Sequence, residues 1–85
     1  GGMTTPTDAL LDGLVTKLGE ATGRRWERWH AWGVKSTVIV KGRPWNFGHD
    51  VNLRKADADP EGYASMVIKR FRRDLERAEN DCQSD

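Results

Sequence analysis

The chain has 85 residues, with 14 Lys and Arg against 13 Asp and Glu, a single cysteine and four tryptophans. That length makes one domain, the lone Cys82 excludes an internal disulfide and suits a reducing cytoplasm, and no apolar run approaches the roughly 18–20 residues that span a bilayer. The near-neutral total is less basic than many nucleic-acid domains, but it hides an uneven distribution: residues 23–56 hold eight cations against Glu27 and Asp50, and both ends carry an excess of acids.

Gly1-Gly2 ahead of Met3 reads as a remnant of tag removal. Residues 1–4 are expected to be a disordered start, 5–79 one α+β domain, and 80–85 a flexible tail. The stretch from Thr4 to Asp12 lacks the basic region and apolar run of a signal peptide. Thr5 and Pro6 then open the first helix, as N-cap and first helical residue, with Asp8 three residues after the cap. Leu10, Leu11, Leu14, Val15 and Leu18 share one face of it. Gly13 and Gly19 weaken this helix, so it depends on packing, and Gly23 is its expected stop.

Residues 24–32 read either way. As a helix they put Trp26, Trp29 and Trp32 on one stripe; as a strand they put Trp26 and Trp32 on one face and Trp29 on the other. The strand is favoured, because tryptophan suits strands and the next two segments need a partner. Gly33 ends it. The run Thr37-Val38-Ile39-Val40 marks a strand over Val34–Lys41. Gly42-Arg43-Pro44-Trp45-Asn46 reads as a turn. From Phe47 to Leu53 the pattern alternates, with Phe47, His49, Val51 and Leu53 on one face. Residues 54–58 read as a polar connector. Asp59 and Pro60 open the last helix, whose apolar face holds Tyr63, Ala64, Val67, Ile68, Phe71, Leu75 and Ala78. The order is helix, three strands, helix (αβββα). A three-stranded antiparallel sheet buries one face, so both helices are expected on that face, with the other left to solvent or to a partner.

The chemistry-bearing residues are few. Two histidines and one cysteine supply no metal-ligand cluster, and there is no phosphate loop or Ser-His-Asp set. The sequence therefore points to no cofactor, no metal and no enzyme, but to a binding module. Large aromatics interleaved with arginine are what binding surfaces use. A small core also uses tryptophan, and Trp26 and Trp32 against Leu14, Leu18, Phe71 and Leu75 would fill one. Trp45 in its turn and Trp29 on the opposite face are then the exposed candidates. Arg24, Arg25, Arg28, Lys41, Arg43, Arg54 and Lys55 surround them. Arg72 and Arg73, within Lys69–Arg77, are added as a possible ligand surface, although a solvated helix face with Arg70–Asp74 and Arg72–Glu76 pairs explains them as well.

Two readings follow. In the first, the chain docks on a protein or nucleoprotein partner through its basic, Trp-rich surface. In style it is similar to the small inhibitors and regulators of phages and mobile elements, of which anti-CRISPR proteins are an example. In the second, it binds DNA or RNA directly. Its element order resembles the double-stranded-RNA-binding fold, and three-stranded sheets also read DNA grooves in some phage-type proteins. The former family carries a lysine-rich cluster where its last helix begins. Here that position reads Asp59-Pro60-Glu61-Gly62-Tyr63, whose acids would repel phosphate. The first reading is preferred, because acidic ends oppose long-range attraction to a polyanion. A membrane partner is not expected.

Overall fold

The computed structural model describes residues 5–81; the expectations for residues 1–4, and for the tail from Cys82 on, lie outside them. Helix α1 spans Pro6–Thr22, strand β1 Trp26–Trp29, β2 Gly33–Val40, β3 Arg43–Asp50, helix α2 Leu53–Ala58 and α3 Pro60–Asp81. The strands form one antiparallel sheet in the order β1-β2-β3. The expected α+β architecture is present, with a short additional helix before the last one.

Local chemistry sets the boundaries. Thr5 Oγ1 accepts the Asp8 N–H at 3.0 Å and Pro6 follows it, which starts α1. Gly23 ends α1 in the left-handed conformation, its N–H donating to the Gly19 carbonyl. At the other end of the chain Asp59 serves two helices. Its N–H donates to Lys55 O and closes α2, while its carboxylate accepts the Gly62 N–H at 3.0 Å and opens α3. The side chain of Asp59 occupies the space that a Cβ on Gly62 would need.

Helices α1 and α3 cover one sheet face, and the core lies between. Leu11, Leu14 and Leu18 of α1 and Tyr63, Ala64, Val67 and Phe71 of α3 are buried there. The sheet contributes Trp26, Val34, Val38, Val40 and Phe47. Phe71 is the centre of an aromatic cluster: its ring lies 5.0 Å from Trp26, 5.5 Å from Phe47 and 6.1 Å from Trp45. Two polar side chains in this layer are satisfied by short chains. Trp26 Nε1–H donates to Thr22 Oγ1 at 2.9 Å, whose proton goes to the Leu18 carbonyl, and buried Ser36 donates to the Arg25 carbonyl at 2.7 Å.

Four expectations are corrected. Trp45 lies in β3 rather than in a turn, because Lys41 and Gly42, at φ 53° and 81°, reverse the chain in two residues. It pairs with Val38, so it faces the helices and is half-buried. Trp32 does not join Trp26 in the core. Strand β1 ends at Trp29 and the chain turns through His30, which has φ 47°. Residues 53–58 form a helix rather than a connector, with the Asn52 side chain capping it through the Lys55 N–H at 3.1 Å. Helix α3 continues through Asn80 and Asp81, which had been assigned to the tail.

His49 faces inward from β3 and joins the sheet to α3. The Tyr63 hydroxyl accepts the Asn52 N–H at 2.8 Å and shares a hydrogen bond with His49 Nε2 at 2.7 Å. Burial, and then the positive charge of Arg70, hold the His49 pKa below its ordinary value, against the opposing charge of Asp50. The unfolded chain binds the proton more readily, so this contribution is present above the ordinary histidine pKa and is lost as pH falls through that value toward the lowered one. Thermal melts between pH 7.5 and 5.5 should show a falling Tm. The fall should be shallower in His49→Asn, and an equal slope in both proteins would remove His49 from the explanation.

Candidate binding surface

Sheet geometry divides the side chains into two sets. With Val34, Ser36, Val38 and Val40 turned to the helices, the opposite face carries Gly33, Lys35, Thr37 and Ile39 from β2. Their cross-strand partners put Glu27 and Trp29 of β1, and Pro44, Asn46, Gly48 and Asp50 of β3, on that same outer face. Neither α1 nor α3 covers it. Ile39 is 66% exposed beside the Lys41-Gly42 turn, and Trp29 and Trp32 are 42% and 50% exposed at the opposite end. These are the large exposed apolar side chains among the described residues.

The tryptophan end is ordered by its neighbours. The Trp29 indole lies across Gly48, where a Cβ would come 2.5 Å from the ring. His30 sits between the two indoles, 4.8 Å from Trp29 and 4.9 Å from Trp32. The Trp32 N–H donates to His30 Nδ1 at 3.3 Å, so the ring proton is on Nε2, which meets Asp50 Oδ1 at 2.8 Å. Val51 N–H then donates to the Trp32 carbonyl at 2.9 Å. Both indoles are therefore presented on a braced turn. Binding there gives up little side-chain freedom.

The cations separate into groups. Arg28 points inward, where α1 holds it: Nη2 lies 3.1 Å from Asp8 and Nη1 3.3 Å from Asp12, and its Nε is buried without a hydrogen-bond partner. The Thr5 hydroxyl, and then Arg28, keep the Asp8 carboxyl below its ordinary pKa. Lys35 faces Glu27 at 3.4 Å. Arg24, Arg25, Lys41 and Arg43 remain exposed at the sheet end where β1 and β3 begin, without an ion pair to any described residue. Arg54 and Lys55 are exposed on α2, beyond the opposite end of β3. That strand of eight residues puts about 25 Å between the two groups. Arg72 reaches the Ala21 carbonyl at 3.4 Å at the end of α1, and Arg73 lies 3.7 Å from its neighbour Asp74, both on the helix layer.

The structure thus gathers Arg24, Arg25, Lys41 and Arg43 at one end of the sheet and sets Trp29 at the other, over Gly48. It turns Trp45 and Arg28 to the other side of the sheet, and leaves Arg54, Lys55, Arg72 and Arg73 on the helices. Sequence reasoning missed Ile39 and Trp32 as surface residues. The signal for Ile39 was its alternation with Val38 and Val40, which a β-branched run conceals. Among the described residues no three His, Cys, Asp or Glu side chains converge on one point, and no helix is long and apolar enough to cross a membrane. Comparison with protein-family models, with curated proteins and with solved structures found no match for this chain.

Proposed function

We propose that this chain is a small non-catalytic binding module that docks on a protein partner through the outer face of its sheet. The observation that carries the reading is the uncovered face itself, with Ile39 exposed at one end and Trp29, beside Trp32 of the turn, exposed at the other, on a sheet whose opposite side packs on the core. Large apolar side chains left exposed on a face that no helix covers mark interaction surfaces, and tryptophan and arginine dominate the energetics of such surfaces. The unpaired Arg24, Arg25, Lys41 and Arg43 fit a partner with an acidic rim beside an apolar patch.

A nucleic acid fits this face less well, because Glu27 and Asp50 lie on it and Asp59 and Glu61 stand at the start of α3. A second copy of the chain fits poorly too. Two strands of eight residues and one of four, about 4.8 Å apart, present roughly 300 Å², less than half of what each side of a standard interface buries. A partner that also contacts the turn and the cationic end makes up the rest. Such a module acts by occupying a surface, as a small inhibitor or regulator does.

The test compares the wild type with Trp29→Ala and Ile39→Lys. A protein captured by the wild type is purified and titrated against all three. Trp29→Ala should weaken binding about 30-fold, the effect of a 2 kcal/mol hot spot, with Tm nearly unchanged. Titrations with duplex DNA and RNA at two salt concentrations run alongside. Salt-sensitive binding to either that survives both substitutions would overturn the reading.

A further inference from the structure

Strand β3 leaves one side of its backbone unpaired. The turn at Lys41-Gly42 has positive φ at both residues, the type I′ geometry, which makes Val40 and Arg43 a mutually hydrogen-bonded pair. Such pairs recur at every second position. The bond from Val51 N–H to the Trp32 carbonyl carries the same parity to the far end. The backbones of Arg43, Trp45, Phe47 and His49 therefore face β2, and those of Pro44, Asn46, Gly48 and Asp50 face outward. Pro44 has no N–H to offer there. Asn46, Gly48 and Asp50 each present one N–H and one C=O past the sheet, at a repeat of about 6.8 Å.

Natural sheets protect such edges with short strands, charges or proline. The other edge, β1, has four residues and carries Glu27 and Arg28. Strand β3 has eight residues, and after Pro44 its outward positions 46 and 48 hold no charge. Beside it runs a groove of about 390 Å³, with Trp45, Phe47 and Gly48 on the strand side and Asp74, Arg77 and Ala78 of α3 on the other.

We propose that this edge is a peptide-binding site, where an extended segment of a partner protein adds as a fourth strand beside β3. The unmet groups are backbone donors and acceptors at strand spacing, which another extended chain satisfies and a helix does not. Alternate side chains of the segment enter the groove, where Trp45 offers an apolar surface on the strand side and Asp74 and Arg77 stand on the helix side, so every second position needs an apolar stem against Trp45. A second copy of this chain is a poorer occupant. Pairing β3 with a second β3 brings in two copies of Pro44, each without an N–H for the new ladder. The site is separate from outer-face docking and stands whether or not that reading holds.

The experiment selects linear peptides from a random displayed library on the full chain, then titrates the enriched peptide. Enriched sequences should alternate apolar and polar residues, and hydrogen exchange at Asn46, Gly48 and Asp50 should slow on binding. Asn46→Pro removes a donor that the β2–β3 ladder does not use, and should weaken binding about tenfold, the effect of one lost backbone hydrogen bond. Ala78→Lys fills the groove from the helix side without touching the strand, and should do the same. Ile39→Lys should leave peptide affinity unchanged, which separates this site from the outer face. Enrichment without a two-residue period, or equal binding by Asn46→Pro and Ala78→Lys, would sink the proposal. So would slow exchange at the three amides in peptide-free protein that sediments as a dimer, which would assign the edge to a second copy.

Discussion

Phe71→Ala should lower the unfolding free energy by about 3–5 kcal/mol, the range for truncating a buried phenylalanine. A domain of this size has about 5–15 kcal/mol in total, so the variant stands near the folding threshold. The cost is at the upper end for a geometric reason. Phe71 is fully buried, and the rings of Trp26, Phe47 and Trp45 all lean on it from the sheet. These come from two different strands, and Trp26 is itself hydrogen-bonded to α1 through Thr22. Collapse into the cavity would have to move β1 and β3 together, so little of the lost volume can be recovered. Urea denaturation followed by tryptophan fluorescence measures the effect. Ile39→Ala is the control, since that side chain is 66% exposed and touches no core layer; it should shift the midpoint slightly. A Phe71→Ala loss below about 2 kcal/mol would mean that the cluster repacks.

The same cluster shows what could be read from the sequence. The two long helices and the central strand were legible, because caps, helical periodicity and a β-branched run are local signals. Thr5-Pro6 and Asp59-Pro60 mark their helices within a few residues. The sheet face of each tryptophan was less legible, because parity depends on where a turn begins. Gly42-Arg43-Pro44 has the composition of a long turn, yet Lys41-Gly42 alone reverses the chain. Pro44 can then enter a strand because its missing N–H lies on the unpaired edge. That shift brings Trp45 into register with Val38 and against Phe71. Trp32 failed in the opposite sense, since a strand read as continuous to Trp32 is cut at Trp29 by a residue with positive φ. The cations around the tryptophans were legible as an excess but not as a surface. Their grouping depends on which of them α1 neutralises, and Arg28 meets Asp8 and Asp12 only through tertiary packing.

Gly33→Ala should cost about 1–3 kcal/mol, the range for overpacking a tight site, and should also dismantle the tryptophan turn. A Cβ at this position would lie 2.6 Å from the Trp29 carbonyl oxygen and 2.8 Å from the His30 ring. The imidazole could swing aside, although it would lose Asp50. The carbonyl belongs to the backbone of the residue paired with Gly33, so relief requires the β1–β2 hairpin to open. Opening it separates Trp29 from Gly48 and Trp32 from His30, which removes the bracing that presents both indoles. The expected signature is therefore double: a lower urea midpoint, and a change in the emission of exposed tryptophan already present in the folded baseline. His30→Ala gives the comparison. It removes the stacked ring and the Asp50 bond but leaves room at Gly33, so it should loosen the indoles with a smaller loss of stability. If Gly33→Ala matched wild type in both measurements, the close packing of this turn would not be what holds Trp29 and Trp32 at the surface.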